Sequence, residues 1–275
     1  MSVTNTRYAL GHTVEEHERL REQARRWETA TGRLLDRVGL APGARCLDAG
    51  CGPGVTMRLM ARRVGPTGRI IGLDKDAALV ESALAMLHES GHRQCEVRLH
   101  DLTSAQPLPE PAFDLVYARL LLFHLPERVE VLRRLWAAVA PGGYLVVHDY
   151  DLGPAGTHPG LESAQRMQQV LDRAFGAVGC DVRVGVSLPE LLRQAGVGTP
   201  DDTDVTGALE PLATARHFLE QTFRSLLPVA LAHGITTEQD AAQLLAALHR
   251  DATRYPERPV LLPLLIGAWK RKEQQ

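Results

Sequence analysis

The sequence predicts an α/β fold: a doubly wound, mostly parallel, seven-stranded sheet with helices on both faces and a helical cap inserted near the C-terminal end. Three observations lead there. Between residues 45 and 151, strand-like and helical segments alternate at least four times. The strand-like runs are short, apolar and without clean alternation, as in strands buried on both faces. A glycine-rich turn over residues 50–54 stands between the first run and the helix that follows it.

Leu20, Ala24, Trp27, Thr31, Leu34, Leu35 and Val38 recur at helical spacing and Gly39 stops them, so 14–39 reads as one helix. Strands are expected at 45–50, 69–74, 95–101, 112–119 and 144–151, and helices at 55–64, 76–91 and 126–143. Beyond 152 a loop leads to helices over 161–178 and 187–195, then a strand over 201–209. Two long helices, 212–232 and 237–254, stand where such a fold often has only a turn and read as a cap. An apolar strand, 258–272, ends the pattern. The expected division is 1–39 as an N-terminal helical segment, 40–211 with 256–275 as the main domain, and 212–255 as the inserted cap.

The 275 residues suit one large domain. A net charge of −2 supplies no basic field for a nucleic-acid backbone, so no nucleic-acid partner is expected. No apolar run approaches the length of a membrane span, and the opening residues lack the apolar core of a secretory leader. Cys46, Cys51, Cys95 and Cys180 form no CxxC pair, and no histidine cluster completes a metal set. These features predict a cytoplasmic protein with reduced thiols and no metal. Only three of the 31 basic residues are lysine, a bias that fits a GC-rich genome.

A strand, a glycine turn and a helix start together form a site for the polar part of a ligand, because the backbone can be approached closely and offers free N–H groups. A dinucleotide site asks for G-x-G-x-x-G, yet the third position of that spacing is Val55; the glycines are Gly50, Gly52 and Gly54. Asp48, just before them, would repel a pyrophosphate and attract an ammonium group. Asp74 ends the second strand, where a carboxylate can accept hydrogen bonds from both hydroxyls of a ribose. Asp101, with the N–H of Leu102 beside it, can recognise the edge of an adenine.

The stretches "LDAGCGPG", "IIGLDKD", "LHDLT", "FDLVYARLLLFHLPE" and "VAPGGYLVVHDYD", spread over residues 47–151, resemble the successive motifs of the class I S-adenosylmethionine-dependent methyltransferases. The likeness is to the small-molecule branch, similar to bacterial enzymes of ubiquinone and menaquinone biosynthesis. It implies a Rossmann-like fold, S-adenosyl-L-methionine as cofactor, and a small-molecule methyl acceptor methylated on O, N or C. It places Asp48, Gly50, Cys51, Gly52, Gly54, Asp74, Lys75, Asp101, Leu102 and Arg119 around the cofactor. The opening "YALGHTVEEHERLREQ" resembles a segment that folds over the cofactor in such proteins, which would bring Tyr8 and Gln23 to the site; alternatively it is a plain amphipathic helix covering the sheet edge.

Methyl transfer from a sulfonium expels a neutral leaving group, so alignment and exclusion of water carry the catalysis, with a base required only if the acceptor holds its proton. His124, Asp149 and His148, at the carboxyl ends of the fourth and fifth strands, are the catalytic candidates. Two have a structural alternative: packing for His124, and a capping or loop role for Asp149. Phe218, Phe223, Leu226, Leu227, Val229 and Leu231 make either the cap core or an apolar acceptor pocket. Methylation of protein or nucleic acid, and a cofactor-binding module or non-methylating catalyst on the same fold, are the competing functions. No NPPY-like tetrapeptide follows the fourth strand. Oligomeric state is open between monomer and homodimer.

Overall fold

A computed structural model describes residues 14–109 and 112–274. The chain runs α1 (Val14–Arg26), α2 (Glu28–Val38), β1 (Arg45–Ala49), α3 (Val55–Val64), β2 (Arg69–Asp74), α4 (Ala77–Glu89), β3 (Cys95–Leu99) and β4 (Phe113–Arg119). A 3₁₀ turn (Leu122–His124) then leads into α5 (Arg128–Ala137), β5 (Val139–Asp151), β6 (Gly156–Thr157), α6 (Glu162–Ala177) and α7 (Val184–Gln194). β7 (Asp202–Thr206), β8 (Leu209–Pro211), α8 (Leu212–Ala232), α9 (Glu238–Arg254), β9 (Pro259–Leu261) and β10 (Leu264–Arg271) complete it.

The main sheet has seven strands in the order β3-β2-β1-β4-β5-β10-β7. Its first five members are parallel, and β10 lies antiparallel to both β5 and β7. This is the doubly wound arrangement that the alternation of strands and helices requires. β1 shows why both faces are apolar: Cys46 packs with residues of α2, α3 and α4 on one side, while Leu47 and Ala49 pack with those of α5 and α7 on the other. Leu47, Ile70 and Ile71 are fully buried, and each such side chain stabilises the fold by about 1.5–3 kcal/mol. The strand order reverses between β1 and β4, and the crevice at the carboxyl ends of these two strands is the expected ligand position.

Several element boundaries differ from the sequence reading; the strand expected over 201–209, for one, is two, β7 in the main sheet and β8 in a smaller one. The single helix over 14–39 is two, broken at Trp27 (φ −96°, ψ 7°), whose indole is buried and donates to the Tyr150 hydroxyl at 2.6 Å. Docking this one side chain outweighs continuing the helix. The fifth strand starts at Val139, because the chain leaving α5 already pairs with Phe113 across an irregularity in β4. Helix α7 begins at Val184 rather than 187. The run 258–272 is split at Pro263, which has no N–H for the ladder. Its first part, β9, belongs to a second sheet of order β6-β9-β8 that the sequence did not reveal. Helices α8 and α9 pack on each other and both pack on α6, so the layer above the crevice draws on more of the chain than 212–255.

Candidate active site

The turn after β1 opens a cavity of about 1880 Å³, its open mouth included, bounded by the carboxyl ends of β1, β2, β4 and β5 and closed above by α1, α6, α8 and the small sheet. Gly50, Cys51, Gly52, Asp74, Lys75, Asp101, Leu102, Arg119, Gln23 and His124 all line it. Residues separated by up to 101 positions in sequence thus meet at one crevice. Tyr8 lies outside the described residues.

Gly52 adopts φ +50°, and a Cβ placed on it would meet nothing within 4 Å. The bare backbone therefore borders open space, a cradle that a side chain would fill. Its N–H donates to Asp74 Oδ2 at 2.9 Å, and the Asp76 N–H donates to Asp74 Oδ1 at 3.0 Å. These bonds hold the carboxylate in place and use two of its roughly four acceptor sites. Burial raises the Asp74 pKa despite them. Gly52→Ala is expected to cost about 1–2 kcal/mol of stability for its left-handed backbone and to abolish ligand binding at the cradle, as read by urea unfolding beside calorimetric titration of S-adenosylhomocysteine.

Two of the expected cofactor residues stand back from the cavity. Gly54 caps α3 at φ +78°, where a Cβ would come within 3.1 Å of both Ala83 and Met86. Its bare Cα is needed for the packing of α3 on α4. Asp48 is buried beneath the turn and is not part of the lining. Burial pushes its pKa up to about 7, with Asp74 adding to the rise and Arg119 opposing it, and its Oδ2 has no hydrogen-bond partner. Asp101 is exposed at the rim, its Oδ1 accepting from Thr103 N–H and hydroxyl at 2.8 and 2.7 Å.

Of the three catalytic candidates only His124 reaches the cavity wall. Its ring stands edge-on to Phe123, with Nδ1 3.6 Å from Cys180 Sγ. Burial, with Arg19 and Lys75 adding repulsion, lowers its pKa to about 3. His148 and Asp149 point to opposite faces of β5, as alternation demands, and neither lines the cavity. His148 Nδ1 shares a hydrogen bond of 3.0 Å with the Tyr117 hydroxyl. Asp149 accepts the Phe123 and Tyr150 N–H groups at 3.1 and 2.9 Å, tying β5 to the 3₁₀ turn. Of the apolar set on α8, Phe218 reaches the cavity, while Phe223 and Leu226 are buried in the core. Tyr150, at the same strand end as His148 and Asp149 but given no role from the sequence, also lines the cavity, as does the α6 wall of Met167, Leu171 and Phe175, which the sequence did not reveal.

Among the described residues no group of three His, Cys, Asp or Glu side chains is placed to hold a metal ion, and no helix is long and apolar enough to cross a membrane. Residues 40–179 match the family model described as a methyltransferase domain.

The chain belongs to this methyltransferase family, of the class I, S-adenosylmethionine-dependent type.

The methyltransferase domain is 38% identical over 125 residues to the trans-aconitate 2-methyltransferase of Variovorax paradoxus, a match that spans 46% of each chain. It therefore covers just under half the length of that relative. A longer match joins it to the 27-O-demethylrifamycin SV methyltransferase of Amycolatopsis mediterranei, 32% identical over 251 residues, 88% of this chain and 85% of the other. The fold is shared with the geranyl diphosphate C-methyltransferase of Streptomyces coelicolor, at 16% identity and a TM-score of 0.51 over 94% of this chain and 84% of that one.

Proposed function

We propose that this methyltransferase-family chain transfers a methyl group from S-adenosylmethionine to a small-molecule acceptor. The observation that carries the reading is a single cavity that runs from the Gly52–Asp74 cradle into a chamber under α6 and α8. Cradle residues line one end of it and an apolar wall lines the other, so it suits a cofactor and an acceptor side by side. A chamber roofed by helices and a small sheet favours a compact acceptor over a polymer. The net charge of −2 points the same way.

The residues present fit the cofactor. When bound, it supplies an electrophilic methyl group on a sulfonium. Asp74 is oriented to accept from ribose hydroxyls, the bare Gly52 backbone admits a close approach, and Asp101 with Leu102 offers a carboxylate and an N–H to a base. Gln23 and Arg119 close the cradle from α1 and β4. The N-terminal segment 1–39 would act as a cover, 40–211 with 256–275 as the Rossmann-like domain, and 212–255, joined by α6, as the cap. We place the protein in the cytoplasm, as a monomer or homodimer.

His124 presents a neutral imidazole to the acceptor. A group with a pKa of about 3 is a weak proton acceptor, whereas efficient general bases sit near the working pH. His124 therefore aligns the acceptor and does not store its proton. His124→Asn is expected to retain activity within about tenfold, where loss of a true base costs about 10²–10⁴-fold. The wild-type rate should show no limb between pH 5 and 8 from this residue. Both are read as S-adenosylhomocysteine formed from S-adenosylmethionine over an acceptor panel. Tight cofactor binding with no turnover on any acceptor would sink the proposed activity.

A further inference from the structure

The far end of the cavity says what kind of acceptor it takes; this step rests on the methyltransferase reading above. Its wall is apolar: Met167, Leu171 and Phe175 of α6, Phe218 and Leu219 of α8, and Val260 of β9. The polar side chains that reach it are engaged by the protein itself. Gln168 Nε2 donates to Asp172 at 2.7 Å, the Thr222 hydroxyl donates to the Phe218 carbonyl at 2.9 Å, and Thr157 Oγ1 accepts the Leu161 N–H at 2.8 Å. Arg19 and Lys75 border the cavity and likewise have partners within the protein.

Tyr150 differs. Its phenol oxygen accepts two hydrogen bonds, from Trp27 Nε1 at 2.6 Å and from Gln23 Nε2 at 3.0 Å. A hydroxyl has two lone pairs and one proton. Two donors fill its acceptor capacity, so the proton must point away from both, and among the described residues nothing accepts it. Burial raises the phenol's pKa, although Trp27 and Gln23 pull it down, so the proton is present at neutral pH. The ring is held edge-on against Trp27 and Phe123, which fixes where the hydroxyl sits. A donor without a partner in an apolar wall is unfavourable unless a ligand uses it.

We propose that the Tyr150 O–H donates to an oxygen of the methyl acceptor, and that this acceptor is an uncharged, largely apolar molecule rather than a polycarboxylate. Several carboxylates entering the chamber would lose their water among aliphatic and aromatic carbons, and the cations on the lining, Arg19, Lys75 and Arg119, already have partners within the protein. An apolar scaffold with a single ether, carbonyl or hydroxyl oxygen matches both the wall and the phenol proton that Trp27 and Gln23 leave facing away from them.

The test titrates naphthalene, 2-methoxynaphthalene and trans-aconitate into S-adenosylhomocysteine-saturated protein, wild type and Tyr150→Phe. The ether oxygen accepts a hydrogen bond and donates none. The expected result is binding of both bicycles to wild type and no heat from trans-aconitate. In Tyr150→Phe, 2-methoxynaphthalene should weaken about tenfold, the scale of one hydrogen bond, while naphthalene stays within about twofold. Phenylalanine also leaves Trp27 and Gln23 without their acceptor, and a chamber loosened by that would lose naphthalene as well. Equal loss of both bicycles, or no binding of either to wild type, overturns the proposal, as does trans-aconitate binding more tightly than the ether. S-adenosylhomocysteine affinity is measured first. Its absence in wild type overturns the methyltransferase reading and this proposal with it, whereas normal affinity with a failed bicycle pattern overturns this proposal alone.

Discussion

Asp74→Ala should weaken S-adenosylhomocysteine binding by about 1–3 kcal/mol, the scale of hydrogen bonds to a charged group, or roughly five- to 150-fold in Kd. The carboxylate is fixed from behind by the Gly52 and Asp76 N–H groups, so its remaining acceptor sites face the cavity without further ordering on binding. Alanine removes these sites and also frees the Gly52 N–H, so the glycine turn itself could shift. Asp74→Asn separates the two effects. Its amide oxygen can keep one backbone donor while its NH₂ cannot accept from a ribose hydroxyl. If ligand recognition dominates, Asn should lose nearly as much affinity as Ala; if turn geometry dominates, Asn should lie near wild type. Unchanged affinity in both variants would remove Asp74 from the cofactor site.

Asp74 was legible because a carboxylate at a strand end, 24 residues after a glycine turn, has a position set by topology alone. The five parallel strands were legible for the same reason: each is an apolar run between turn signals. What the sequence could not show depends on contacts distant in the chain. The break at Trp27 exists because an indole meets Tyr150, 123 residues away. The sheet formed by β6, β8 and β9 uses strands of two or three residues, too short to carry any periodicity. Gly54 and Gly52 look alike in sequence, yet one faces Ala83 and Met86 and the other faces open space. The sequence places Tyr150 at the same strand end as His148 and Asp149 but gives it no role, because those neighbours are the more familiar catalytic types. The quality that marks it, a lone-pair count filled by two particular donors, exists only in three dimensions.

Asp149 shows how a residue with the right chemistry can serve the fold instead. Its carboxyl group is wholly buried and bonded to backbone N–H groups of β5 and the 3₁₀ turn that carries His124. Burial pushes its pKa up to about 7 even though those N–H groups favour the anion. Between the ordinary value of 3.8 and about 7, the folded protein holds a proton that the unfolded chain has released. The stability from this group is therefore complete below the ordinary value and is lost as pH rises toward 7. Asn cannot titrate. The stability of wild type relative to Asp149→Asn should thus fall as pH rises from 4.5 to 6.5, by on the order of 1 kcal/mol per pH unit. Urea unfolding of both proteins at the two pH values measures this difference, and other titrating groups cancel in it. Parallel stabilities would mean that the backbone donors keep the group ionised throughout. A gap that closes as pH rises would place a proton on Asp149 in the folded protein, where it ties the turn to β5 and leaves proton transfer to other groups.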